Sequence, residues 1–146
     1  MSISNPGEFT VDVVSWQQAE TALSAVRRRV FIQEQSVPET LEWDGLDVGA
    51  RHLLATSDTG QAVGCARLLT GGRLGRMAVL PSWRRRGVGR ALLEAAVNEY
   101  RRQGCRLVTL AAQTHAINFY RKFGFAVCSG VYMDAGIPHR DMVLTL

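Results

Sequence analysis

No stretch of this sequence approaches the roughly 20 apolar residues that a membrane-spanning helix requires. Its first residues, Met1-Ser2-Ile3-Ser4-Asn5-Pro6-Gly7-Glu8, lack the charged-then-apolar layout of a secretory leader. No membrane partner is expected, and a cytoplasmic location is. Cysteine is scarce: Cys65, Cys105 and Cys128 are odd in number and widely spaced. That pattern argues against a disulfide framework and against a Cys-x-x-Cys metal site, and predicts three reduced core thiols. His52, His115 and His139 fall outside the common zinc spacings, so no metal is expected. Internal repeats and low-complexity tracts are missing as well.

What is present suffices for one domain spanning residues 1–146, with 47% hydrophobic residues to build a core. Seventeen basic residues against thirteen acidic ones give a net charge of +4. The excess is concentrated, because Arg84, Arg85, Arg86 and Arg90 crowd together. Such a cluster suits nucleic acid, a phosphate-bearing small molecule or plain solvent, and composition does not choose between them.

Alternation over residues 9–14 predicts a first strand, after which Ser15 opens a helix with Gln18 at capping-box spacing and Ala19, Leu23, Val26 and Val30 along one stripe. Residues 33–49 carry Pro38, Gly45, Gly49, Glu34, Glu39, Glu42, Asp44 and Asp47, and read as an irregular acidic loop. A loop of that length is a candidate substrate wall that would attract a cationic amine. Residues 52–56 and 62–69 form a hairpin, and residues 73–79 a further strand stopped by Pro81. A long amphipathic helix covers residues 88–103 and closes at Gly104. A strand at 106–111, a helix at 115–123 ended by Gly124, and strands at 125–127 and 142–146 complete the chain. This order predicts a mixed α/β fold rather than a doubly wound one.

The informative feature is a strand ending at Val79 that runs through Pro81 into Arg84-Arg85-Arg86-Gly87-Val88-Gly89 and then into the best helix of the chain. A helix start offers unpaired N–H groups and partial positive charge, and glycines let an anion approach the main chain. No glycine follows three residues after Gly89 and no Gly-Lys-Ser/Thr is present, which excludes Rossmann and Walker loops.

Arg84-x-x-Gly87-x-Gly89 between strand and helix resembles the Gln/Arg-x-x-Gly-x-Gly/Ala signature of the Gcn5-related N-acetyltransferases (GNAT). Ala116-Ile117-Asn118-Phe119-Tyr120-Arg121-Lys122-Phe123-Gly124-Phe125 is similar to that family's second signature, a helix that carries a tyrosine and ends in Gly-Phe. Arg27-x-x-Val30-Phe31-Ile32-Gln33-Glu34-Gln35, Glu42-x-Asp44-x-x-Asp47 with His52, and Gly136-Ile137-Pro138-His139-x-x-Met142 look like the ElaA/YjcF-type subgroup. Where many members carry an asparagine seven residues before the helix tyrosine, this chain has Gln113, which still donates and accepts hydrogen bonds.

The resemblance implies a mostly antiparallel central sheet flanked by helices. It implies acetyl-CoA as acyl donor, with the phosphates at Arg84, Arg85, Arg86, Gly87, Val88, Gly89 and Arg90. The pantetheine arm would pair with the strand at Met77, Ala78 and Val79, and Gln113 and Asn118 would give further contacts. The reaction implied is transfer to a primary amine of a small molecule or peptide, and a homodimer is compatible with it. Tyr120 is the candidate acid for the departing thiolate, since a phenol stays protonated at neutral pH. Glu34 leads as proton acceptor, with Asp44 and His115 as alternatives. Two other functions fit the residues: an acyl-CoA sensor without turnover, and a nucleic-acid binder, which the missing aromatic platform and the acidic loop oppose.

Overall fold

A computed structural model describes residues 8–146. The capping box at Ser15 is formed, with the Gln18 N–H donating to Ser15 Oγ at 3.1 Å and the Ser15 N–H to Gln18 Oε1 at 3.0 Å. It ends β1 (Phe9–Ser15) and starts α1 (Trp16–Arg27), which continues as a π-helical turn, Arg28–Glu34. After α2 (Glu39–Glu42), β2 (Arg51–Ser57), β3 (Ala62–Leu69) and β4 (Arg73–Val79) complete an antiparallel meander. A 3₁₀ turn, Pro81–Trp83, leads to α3 (Val88–Arg102), followed by β5 (Leu107–Gln113) and α4 (Ile117–Phe123). The chain finishes with β6 (Ala126–Val127), β7 (Tyr132–Asp134) and β8 (Ile137–Thr145).

The strands order as β1-β2-β3-β4-β5-β8-β6, with β7 on β8. Every pairing is antiparallel except β4 with β5. The result is the expected mixed, mostly antiparallel α/β fold. On one face Leu92, Leu93, Ala96 and Tyr100 of α3 bury against Leu53, Val63, Val108 and Met142; on the other, Leu23 and Val26 of α1 cover Cys65 and Ala78. Each buried side chain of this size contributes roughly 1.5–3 kcal/mol.

Several expectations need correction. Residues 33–49 are not an open acidic wall. Glu42 and Asp47 are only 2% and 6% exposed, and both bind Arg27, at 2.8 Å from Glu42 Oε2 and 2.6 Å from Asp47 Oδ1. Asp44 pairs with Arg67 at 2.8 Å and Arg76 at 3.2 Å, and Glu39 with Arg28 at 2.8 Å. These carboxylates neutralise the protein's own arginines, so little charge is left to attract an amine. Cys65 is buried as expected, but Cys105 is half-buried and Cys128 exposed. The last strand starts at Ile137 rather than at 142, because Gly136 and Pro138 read as a turn, and β7, exposed at all three residues, has no alternation to betray it. The helix expected from His115 opens with a 3₁₀ turn, Thr114–Ala116.

Candidate active site

β4 and β5 share one register pair, Arg73↔Thr109, supported by the Thr109 N–H to Gly72 O at 2.8 Å. Beyond it the two parallel strands part, and the β5-facing edge of Met77, Ala78 and Val79 has no strand partner. The geometry of β4 explains the divergence. Its register against β3 slips between Cys65 and Arg67, and Arg76 sits there at φ +45°. A bulge bends the strand that carries it and leaves main-chain groups unpaired. The Arg76 guanidinium anchors this bend, donating to the carbonyl oxygens of Leu41 and Glu42 and to Asp44 Oδ2, at 3.1 to 3.3 Å. The acidic segment therefore shapes the gap from behind.

At the mouth of the gap Gly87 caps α3 with φ +86°, a conformation that side chains disfavour. No side chain caps the helix there, and the first main-chain bond back to the cap comes from Ala91, so the N–H groups of Val88, Gly89 and Arg90 are left for a ligand. Gly89 faces the opening directly. A Cβ there would stand 3.4 Å from Phe119 Cζ and 3.9 Å from Val79 Cγ2. Phe119, absent from the sequence-based site, thus forms the wall opposite the helix start; its only sequence signal is its place beside Tyr120.

The arginines divide their roles. Arg84 Nε donates to Val79 O at 3.0 Å, and its two terminal nitrogens grip both oxygens of Glu34 at 2.7 and 2.6 Å. Arg84 therefore pins the end of β4 to the π-helical turn. Arg86 lies 3.9 Å from the Trp83 ring centroid and 3.5 Å from Glu8, Arg90 pairs with Glu94 at 3.0 Å, and Arg85 is exposed at φ +62°. The whole cluster stays at the surface around the helix start, with Arg84 alone tied to Glu34.

Glu34, expected as proton acceptor, is committed elsewhere: the hydrogen bonds from Arg84 hold its carboxyl below the usual range. Asp44 fails for a related reason. Although burial pushes its carboxyl up, the bond from Arg67 and the charges of Arg67 and Arg76 bring it down to about 2. His115 is exposed on the 3₁₀ turn.

Tyr120 is half-buried and packs edge-on against Phe119 and Phe125, with centroids 5.1 and 5.9 Å away. Burial pushes its phenol up to about 12. Its hydroxyl makes no hydrogen bond among the described residues, so its proton is unclaimed. Asn118 is exposed on the same helix. Gln113, at the end of β5, exchanges two amide hydrogen bonds with Gln35 at 2.8 and 3.2 Å. Gln35 closes the run that resembles the ElaA/YjcF-type subgroup, but nothing in that run tells that it reaches Gln113, 78 residues along the chain. Among the described residues, no His, Cys, Asp and Glu group could hold a metal ion.

Comparison with known proteins bears on the family and the fold. The family model described as an acetyltransferase (GNAT) domain matches residues 12–146. The uncharacterised N-acetyltransferase YjcF of Bacillus subtilis is 38% identical over 122 residues, covering 81% of this chain and 86% of its own. An acyl-CoA N-acyltransferase structure from Pseudomonas aeruginosa superposes with a TM-score of 0.83 at 31% identity, covering 92% of this chain and 98% of its own. Escherichia coli ElaA superposes with a TM-score of 0.81 at 29% identity, with the same coverages of 92% and 98%.

Proposed function

Since the chain belongs to the GNAT family of acetyltransferases, we propose that it moves the acetyl group of acetyl-CoA directly to a primary amine of a small molecule or peptide. The observation that carries this reading is the parting of β4 from β5 after Arg73, at a mouth formed by an uncapped helix start. The residues present fit the donor. The N–H groups of Val88, Gly89 and Arg90 would hold the pyrophosphate, helped by Gly87 and by the Arg85, Arg86 and Arg90 side chains. The unpaired edge of Met77, Ala78 and Val79 would hold the pantetheine arm, with Gln113 and Asn118 as polar contacts beyond it. Acetyl-CoA supplies the thioester.

A main-chain N–H on the open edge of β4 would face the thioester oxygen, a contribution of roughly 3 kcal/mol in comparable sites. Tyr120 would protonate the departing sulfur, and its unclaimed hydroxyl supports that role. Arg84 and Glu34 would hold the loop in position rather than take part in proton transfer.

Thermal unfolding with acetyl-CoA and with dephospho-CoA tests the binding half. A ligand that binds only the folded state raises the Tm. Acetyl-CoA should raise it more, because the exposed arginines around the helix start would reach beyond the pyrophosphate to the 3′-phosphate. Thiol release across polyamines, amino sugars, amino acids and peptides tests the transfer half. No melting shift and no thiol release with any amine would overturn the reading.

A further inference from the structure

With Glu34 and Asp44 committed to arginines, the amine still needs a proton acceptor, because an ammonium has no lone pair with which to attack. His139 has the required properties. It is 9% exposed, and its Nδ1 lies 2.7 Å from Ile137 O. A carbonyl oxygen can only accept, so Nδ1 carries the hydrogen and Nε2 bears the lone pair. No donor among the described residues claims Nε2.

Its placement in the sheet is equally specific. Residues alternate along β8, and Met142 belongs to the core beneath α3, so His139 and Asp141 point to the α1 face together with Ile137, which packs against the α1 core. His139 is the register partner of Gln113, at the end of β5 that stands away from β4. There Gln113 is tied to Gln35 from the π-helical turn. Tyr132 stacks on the imidazole at 6.0 Å and 21°, and its hydroxyl donates to Asp141 Oδ1. That carboxylate is thereby occupied, leaving the imidazole oriented but not ion-paired.

A donor whose phosphates rest on the start of α3 leaves the α1 face of the gap for the acceptor. Resting on the acetyl-transfer reading above, we propose that His139 Nε2 takes the proton from the acceptor's ammonium. The free amine then forms the new nitrogen–carbon bond and the carbon–sulfur bond breaks. Tyr120 gives its proton to the sulfur and regains one from the amide nitrogen through solvent, while His139 releases its proton to water. The sum is acetyl-CoA plus ammonium giving amide, CoA thiol and one proton.

The titratable and charged groups facing His139 are few. Among the described residues they are Asp141 on its own strand, Tyr132 and Asp134 on β7, Cys128 near Tyr132, and His115 on the 3₁₀ turn that packs against β8; Arg140 points to the other face of the sheet, and β5 and β6 contribute none. An acid limb that vanishes with His139 is therefore a specific readout. Single-turnover acetylation of spermidine, glucosamine and a free-amine peptide should fall about 100-fold in His139→Gln, the low end for general base catalysis. The acid limb of the pH profile should disappear, and the melting shift given by acetyl-CoA should stay at its wild-type size. In His139→Ala, added imidazole should restore part of the rate. In the wild type, ¹⁵N shifts of the ring should report hydrogen on Nδ1, a measurement that needs no variant to fold. A wild-type rate with an intact acid limb in His139→Gln, or the opposite tautomer in the wild type, would overturn the assignment alone. A wild-type protein that acetylates none of the three probes would instead overturn the transfer reading, and this proposal with it.

Discussion

In the proposed reaction Tyr120 would act through a single atom, its hydroxyl oxygen. Its ring packs between Phe119 and Phe125 whether or not the hydroxyl is present, so Tyr120→Phe separates packing from proton donation. A proton given as the sulfur leaves exists only in the transition state, and its loss should appear in turnover while the KM for acetyl-CoA holds. A thiolate departs more easily than an alkoxide, so a fall of about 100-fold, the low end for a general acid, is expected. An unchanged single-turnover rate would remove Tyr120 from the mechanism. Gly89 makes the complementary case. A valine there would fill the space before Phe119, whose ring lies 3.4 Å from the first added carbon. Gly89→Val should weaken CoA binding at least tenfold, on the order of 1.4 kcal/mol, while the Tm without ligand changes little. Calorimetry giving wild-type affinity would refute the phosphate-loop assignment.

Among the elements, the segment from α1 to β2 shows how a sequence pattern can mislead. Its acidic residues suggest a surface that attracts cations. In the fold they pair with the protein's own arginines, and two of them, Glu42 and Asp47, bind Arg27, which is 1% exposed and lies 5.7 Å from the Trp16 ring and 5.0 Å from the Trp43 ring. Removing one partner of such a cluster leaves buried charge uncompensated, which costs roughly 3–5 kcal/mol. Arg27→Ala should lose that amount in urea denaturation; a loss under about 1 kcal/mol, the range of an exposed ion pair, would show that water already screens the cluster. Since Arg76 at the bulge of β4 shares Glu42 with Arg27, the variant should also weaken acetyl-CoA binding. The reach of α3 and the turn before it were legible because helical period, glycine and proline act locally. The bulge was not, since Arg76 at φ +45° is a conformation imposed by partners far along the chain.

For the whole molecule, stability should depend on acid in a definite direction. Asp44 titrates at about 2 in the fold against an ordinary 3.8. A lowered folded value means stability that is complete above about pH 4 and is lost as the pH falls toward 2. The contribution is on the order of 2 kcal/mol before allowance for solvent screening. Denaturation followed from pH 5 to pH 2 should show this loss, and Asp44→Asn should flatten it; an identical slope in both proteins would mean that other carboxylates carry the acid dependence. The sequence by itself determined the family, the sheet class and the glycine-bearing turn that opens α3, because each is written in residues adjacent to one another or spaced by a helical or strand period. It also marked Tyr120, through the helix that ends in Gly124-Phe125. Only the tertiary structure decided which charges are available. Glu34 meets Arg84 fifty residues away and Asp47 meets Arg27 and Arg67, each twenty residues away. The orientation of the His139 ring likewise depends on Tyr132, which the pairing of β7 with β8 sets against it. Ionisable groups take their chemical character from neighbours within a few ångströms, and those neighbours are set by the packing of the sheet and its helices rather than by the order of residues along the chain.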